Sequence, residues 1–153
     1  MSKELIVNGK FNIPEGGIKL FGIDVTKDSI SIRLNTSIGP VIGVCDAGCC
    51  SETWIESIEE PALGFPCMII GAQDLDMPEG RDAEDGEPQD YIQFYGIKFV
   101  TDKGEIVIDY RNASNGYYGG SIEWDGKRFY GGVYGQNNPS DEWLTLEEWQ
   151  SRK

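Results

Sequence analysis

Apolar side chains along this 153-residue chain come in short groups separated by Gly, Asn, Asp and Pro. A spacing of roughly ten residues between turn signals reads as antiparallel β structure. Leu5-Ile6-Val7 and Phe11-Asn12-Ile13 flank Asn8-Gly9, a dipeptide suited to the positive φ angles of a two-residue hairpin turn. Residues 18–25 predict a strand, followed by a turn at Thr26-Lys27-Asp28. Across 29–35, Ile30, Ile32 and Leu34 alternate with Ser31 and Arg33, so one face is buried and the other wet. Residues 40–45 and 67–72 are further short apolar strands.

The second half holds the clearest β pattern. Residues 91–101 and 105–111 are joined by Asp102-Lys103-Gly104, and residues 112–116 form the next turn. Residues 121–124 and 128–134 then pair across Asp125-Gly126-Lys127, giving a four-strand meander. Two segments depart from this rhythm. In 51–60, Thr53 and Glu56 match a capping box, Trp54, Ile55 and Ile58 share one side, and Pro61 stops the run; together these predict a short central helix. Thr145-Leu146-Glu147-Glu148 repeats the capping-box signature and opens a short C-terminal helix carrying Trp149. The fold class is a single β-rich α+β domain over 1–153. Its mainly antiparallel sheet is a sandwich or a partly closed barrel, with one short central helix and one terminal helix.

Composition narrows what such a domain does. Hydrophobic residues make up 39%, enough for a core. Thirteen basic residues stand against 26 acidic ones, a net charge of −13, which opposes binding to nucleic acid or to anionic membranes. The chain has no histidine. That removes the usual base near neutral pH, the Ser-His and Cys-His nucleophile pairs, and every His-ligated metal site. Residues 1–10 lack the apolar core of a signal peptide. The run at 65–72 is interrupted by Pro66 and Gly71 and is too short to span a bilayer. Cytoplasmic residence is the expectation.

More than half of the net charge sits in one place. Residues 74–90 carry Asp74, Asp76, Glu79, Asp82, Glu84, Asp85, Glu87 and Asp90 against the single cation Arg81. With two prolines, two glycines and few apolar side chains, the segment reads as an extended loop inserted between two strands. A calcium loop is a poor match, because Pro78 takes the fifth position counted from Asp74. The two remaining readings are a solvated loop that aids solubility and an acidic patch that captures a basic partner surface through Asp82, Glu84, Asp85 and Glu87.

Cys45, Cys49, Cys50 and Cys67 are the four cysteines. Four thiolates complete a tetrahedral zinc site in principle, although C-x3-C-C is not the usual C-x2-C spacing. Cys49 and Cys50 precede the predicted helix, where a thiol pKa falls. The bland alternative is a small buried hydrophobe at a strand-to-helix corner. A second candidate constellation is Arg111, Asn112, Asn115, Tyr117 and Tyr118, a polar and aromatic turn able to hold an anion or a planar ligand; its alternative is local pairing and packing. Glu52 and Glu56, on one face of the predicted helix, are the pair a carboxylate-dependent enzyme would use. Trp143 and Trp149 are apolar anchors for a partner or, equally, the means of packing the tail onto the sheet.

The segments CCSETWIESI, FYGIKFVTDKG and YRNASNGYYGGSIEW resemble a family of small bacteriophage and prophage proteins of unknown function, over roughly residues 43–124. The acidic insert lies outside that pattern. The resemblance implies a phage accessory protein in the cytoplasm of the bacterial host and supplies no catalytic residues. Joined to the charge, it points to a non-enzymatic protein that binds and inhibits a host protein, such as a defence component, bearing a basic surface. A small-molecule binder using the Tyr/Arg/Asn turn and a thiol- or carboxylate-dependent enzyme are the alternatives.

Overall fold

The structure is a computed structural model that describes residues 6–7, 10–11, 13–47, 51–87, 89–115, 119–124 and 142–152. β1 (Ile6–Val7) and β2 (Lys10–Phe11) pair with each other, Ile6 opposite Phe11, across the predicted two-residue turn. The turn residues Asn8 and Gly9 lie outside the described residues. The other strands build one ten-stranded antiparallel sheet. They are β3 (Ile18–Thr26), β4 (Ser31–Thr36), β5 (Gly39–Ala47), β6 (Glu52–Glu59), β7 (Cys67–Leu75), β8 (Gly80–Asp82), β9 (Tyr91–Thr101), β10 (Gly104–Ser114), β11 (Gly120–Trp124) and β12 (Trp143–Thr145). The order is β11-β5-β4-β3-β7-β9-β10-β6, with β12 added to β3 and β8 to β9. α1 (Leu146–Gln150) follows β12 directly.

Two of the hairpins are made by one device. Thr36 and Thr101 each end a strand, and each hydroxyl donates to the carbonyl of the glycine three residues on, Gly39 and Gly104, at 2.5 Å. The same oxygens accept the N–H of Ile38 and Lys103. Both glycines sit at positive φ, +110° and +121°, where an L side chain is strained. The pattern Thr-x-x-Gly therefore fixes both register and turn.

The sheet is open and curled, neither two separate layers nor a closed barrel. Among the described residues, β6 and β11 each pair on one side only. They nevertheless approach each other, since a Cβ on Gly120 of β11 would collide with Thr53 Oγ1 of β6. Where a closing ladder would run, β6 meets other partners. The Ile55 N–H donates to the Ser29 carbonyl at 2.8 Å, Thr53 Oγ1 lies 3.2 Å from the Asp46 carbonyl oxygen, and Gln150 Nε2 donates to the Ile58 carbonyl at 2.8 Å. The concave face is filled by one apolar cluster that includes Leu20, Ile32, Leu34, Ile55, Ile69, Phe99, Ile106 and Ile108. Within it Phe99 meets Trp124 edge to face at 6.0 Å, a favourable aromatic geometry.

The predicted central helix is a strand. Residues 52–59 form β6, paired along β10. Thr53, Ile55 and Ile58 point inward and are buried. A register shift lets Ile55 face Tyr110 while Ser57 faces Asp109, leaving Glu56 as an extra residue. That bulge stretches the inward spacing from two residues to three, and a strand then imitates helical periodicity. The predicted meander is also corrected: β9 and β10 pair as expected, but β11 pairs with β5 instead of continuing from β10. Residues 128–134 lie outside the described residues.

The C-terminal helix carries its predicted capping box. The Thr145 hydroxyl accepts from the Glu148 N–H, and the Glu148 carboxylate accepts from the Thr145 N–H. Trp149 is 1% exposed and its Nε1 donates to Ser29 Oγ at 2.9 Å. It holds the tail onto the sheet and is not available as an anchor for a partner. No helix of the described residues is long and apolar enough to cross a membrane.

Candidate functional site

The acidic segment is built into the sheet. β7 continues to Leu75, paired with Gly96 of β9. After residues 76–79 the chain rejoins the same neighbour as β8, with Gly80 opposite Gln93 and Asp82 opposite Tyr91. Residues 71–82 are thus one interrupted edge strand. Among the described residues no strand pairs with them on the side away from β9. The expectation of a loop without structure failed here because β9, a strongly apolar strand, supplies the ladder that the acidic residues themselves do not specify.

Arg81 organises the turn beyond β8. Its guanidinium makes two parallel hydrogen bonds to Glu87, at 2.6 and 2.7 Å, the strong bidentate geometry. Glu87 also accepts the Glu84 N–H at 2.8 Å. The Ala83 N–H reaches the Asp90 carbonyl, and the Asp90 N–H reaches the Ser114 carbonyl. The hydrogen bonds from Arg81, and secondly from the Glu84 N–H, hold the Glu87 carboxyl down to about 2. Glu87 is thereby turned inward and half-buried. Asp82, Glu84, Asp85 and the other carboxylates of the segment are exposed. Arg81 also approaches Glu84, at 3.8 Å, where Glu84 stays largely in water.

Behind this ledge, the outward face of three strands carries a stripe of alternating aromatic and cationic side chains. Arg111 of β10 stands opposite Trp54 of β6 on one side and Phe94 of β9 on the other. Its guanidinium lies 4.9 Å from the Phe94 ring centre, and Arg81 lies 6.0 Å from the same ring. Contacts of this kind contribute about 0.5–1 kcal/mol each at partly exposed sites. Arg111 is further paired with Asp109 at 3.6 Å, and Trp54 Nε1 donates to Glu56 at 2.9 Å. The stripe ties the acidic ledge to the sheet. Composition hides it, because Trp54, Phe94 and Arg111 are neighbours only once β6, β9 and β10 are in register.

The alternative ligand constellation is divided by strand geometry. Arg111 faces outward, whereas Asn112 is 0% exposed and points into the concave face. Consecutive strand residues occupy opposite faces, so these two do not line one pocket. Asn112 belongs to β10 and not to a turn: its Oδ1 accepts from the Thr53 hydroxyl at 2.8 Å, and its Nδ2 donates to Gln93 Oε1 at 2.8 Å. Beside this network Tyr95 stacks on Tyr110 at 5.2 Å, and the Tyr95 hydroxyl accepts from the Gly120 N–H at 3.4 Å. Asn115 is exposed at the end of β10. Tyr117 and Tyr118 lie outside the described residues.

The strand at 52–59 also separates Glu52 from Glu56. Four residues along a strand span about 13 Å, against about 6 Å for the same spacing on a helix. A carboxylate pair in glycoside hydrolysis works at roughly 5–9.5 Å. Of the cysteines, Cys45 and Cys67 are buried free thiols on β5 and β7, strands with β4 and β3 between them in the sheet. Burial, then the nearby Asp28 and Asp46, pushes the Cys45 thiol far up; burial raises Cys67 as well. Both shifts oppose the thiolate that metal binding or nucleophilic attack requires. Cys49 and Cys50 lie outside the described residues. Among the described residues, no group of three or more His, Cys, Asp or Glu side chains is placed to hold a metal ion.

Residues 16–124 match a protein family described as Domain of unknown function (DUF7448). No curated protein and no solved structure matches the chain.

Proposed function

We propose, from the premise that this chain belongs to the DUF7448 family of unknown function, that it is a non-enzymatic binding protein that captures a partner's basic surface on its acidic edge. The observation that carries this reading is the Arg81–Glu87 pair. It uses the one cation of the segment to fix the turn and leaves Asp82, Glu84 and Asp85 facing water on an ordered support. A fixed array of like charge raises association rates and selects oppositely charged partners. In the phage-type setting suggested by the sequence resemblance, the partner is a host protein in the bacterial cytoplasm, and occupation of its basic surface inhibits it.

The test compares the wild-type chain with the Asp82→Asn/Glu84→Gln/Asp85→Asn variant in capture from host lysate. It is run at about 50 mM and about 300 mM salt, where screening differs strongly. The expected result is a partner retained by the wild type at low salt, weakened at high salt and lost on the variant. Identical capture by both proteins would overturn the proposal.

A further inference from the structure

All four large apolar side chains that stand well out of the described surface belong to one corner of the sheet. Phe21 is 52% exposed, Ile38 60%, Leu63 76% and Ile70 56%. Phe21 and Ile70 are the extra residues at two register shifts, between Leu20 and Gly22 of β3 and between Ile69 and Gly71 of β7. These bulges lie on either side of the pairing of Lys19 with Met68. The Ser37 N–H donates to the Lys19 carbonyl, which brings the Ile38 turn against β3. On the far side, the Asp102 N–H reaches the Met68 carbonyl and the Leu63 N–H reaches the Lys103 carbonyl.

Among the described residues, two lysines without an ion pair stand in this corner of an otherwise acidic molecule. Of the lysines whose side chains are described, Lys27 and Lys98 are ion-paired. Lys19 and Lys103 have no ion pair among the described residues, and both lie in this corner. Lys19 sits 5.4 Å from the Phe21 ring centre. The acid next to Lys103, Asp102, accepts the Met68 N–H at 2.7 Å, and the exposed Glu15 and Glu60 border the corner on the turns before β3 and β7. Bulges normally serve to blunt an edge or to re-aim a side chain; here they aim two apolar groups outward between two lysines.

We infer that this corner is a second docking surface, for a protein segment that interleaves acidic and large apolar side chains. Charge complementarity selects that occupant. The lysines favour carboxylates, and the four apolar side chains lose unfavourable water contact on being covered. An anionic bilayer would meet the same side chains, but the net charge of −13 repels it. A second copy of the chain meets the same repulsion. The inference does not depend on the acidic edge.

The test uses fluorescence anisotropy with a labelled probe peptide alternating Glu with Leu and Phe, and a counterpart with Lys in place of Glu. The acidic probe is expected to bind. Its affinity should fall at least about tenfold in Lys19→Glu/Lys103→Glu and in Ile38→Ser/Leu63→Ser, as for truncation of interface anchors. Ile38 and Leu63 occupy exposed turns, so the second variant keeps its fold. Equal binding of the Lys counterpart, no binding of the acidic probe, or unchanged affinity in both variants would overturn the inference. So would cosedimentation with phosphatidylserine vesicles, or self-association, that the lysine variant abolishes while peptide binding is absent.

Discussion

Arg81 is the single cation among eight carboxylates in residues 74–90, and its value comes from where it points. Counted in a composition it only reduces a negative total; in the structure it decides which glutamate turns inward. That choice was not legible from the sequence, because Glu79, Glu84 and Glu87 are chemically alike and only β8's pairing with β9 selects among them. Glu87 titrates accordingly. Its carboxyl is lowered from 4.5 to about 2, so the stabilisation it gives is complete above 4.5 and is lost as pH falls toward 2. The side-chain carbon shift of Glu87, followed by NMR, should titrate near 2 in the wild type and rise toward 4.5 in Arg81→Ala, stopping short of it while the Glu84 N–H still bonds the carboxylate. A midpoint near 4.5 in the wild type would mean that the ion pair does not form. The global stability of Arg81→Ala should stay close to that of the wild type, because water screens the pair. Cys45 gives a second test at this scale. Burial and two neighbouring carboxylates raise its thiol, so native-state alkylation mapped by mass spectrometry should leave it unmodified while the denatured chain reacts fully. Rapid native labelling at Cys45 would contradict its buried position.

At the scale of elements, what was legible depended on whether local pattern and tertiary neighbour agreed. β4 follows from alternation, β9 from a long apolar run closed by a turn, and the capping box of α1 from Thr145 and Glu148, because each is specified locally. β6 misleads, since the bulge at Glu56 spaces Ile55 and Ile58 three apart, and only pairing with β10 shows the strand. The Thr-x-x-Gly hairpins separate local from tertiary cost directly. Gly39 and Gly104 share a positive φ, but nothing lies within 4 Å of a Cβ on Gly39, whereas a Cβ on Gly104 would stand 2.7 Å from the Ala62 nitrogen. Gly39→Ala should therefore cost about 1 kcal/mol, the backbone strain alone. Gly104→Ala should cost more, about 2–3 kcal/mol, through that strain and the displaced 61–62 backbone. Urea denaturation of the two variants checks the order; equal midpoints would remove the contact with Ala62 from the account.

At the scale of the whole molecule, the acidic charge and the open sheet belong to one problem. An exposed edge offers unpaired backbone groups to any other strand, and natural sheets protect such edges with charge, proline and irregularity. Residues 71–82 show all three: Asp74, Asp76 and Glu79 are exposed, Pro78 lacks an N–H, and 76–79 leave the ladder between β7 and β8. The carboxylates nearest β7 guard the edge, while Asp82, Glu84 and Asp85 stand beyond it, on the turn that Arg81 fixes. The two groups should separate on mutation. Asp74→Asn/Asp76→Asn/Glu79→Gln should make the protein associate more strongly with rising concentration than the wild type, as read by light scattering, because the edge loses its like-charge repulsion. Asp82→Asn/Glu84→Gln/Asp85→Asn removes the same number of charges, from −13 to −10, and should leave self-association unchanged. Association that rises equally in both variants would show that net charge alone keeps the chains apart, and the division of the acidic segment into guard and docking array would fail.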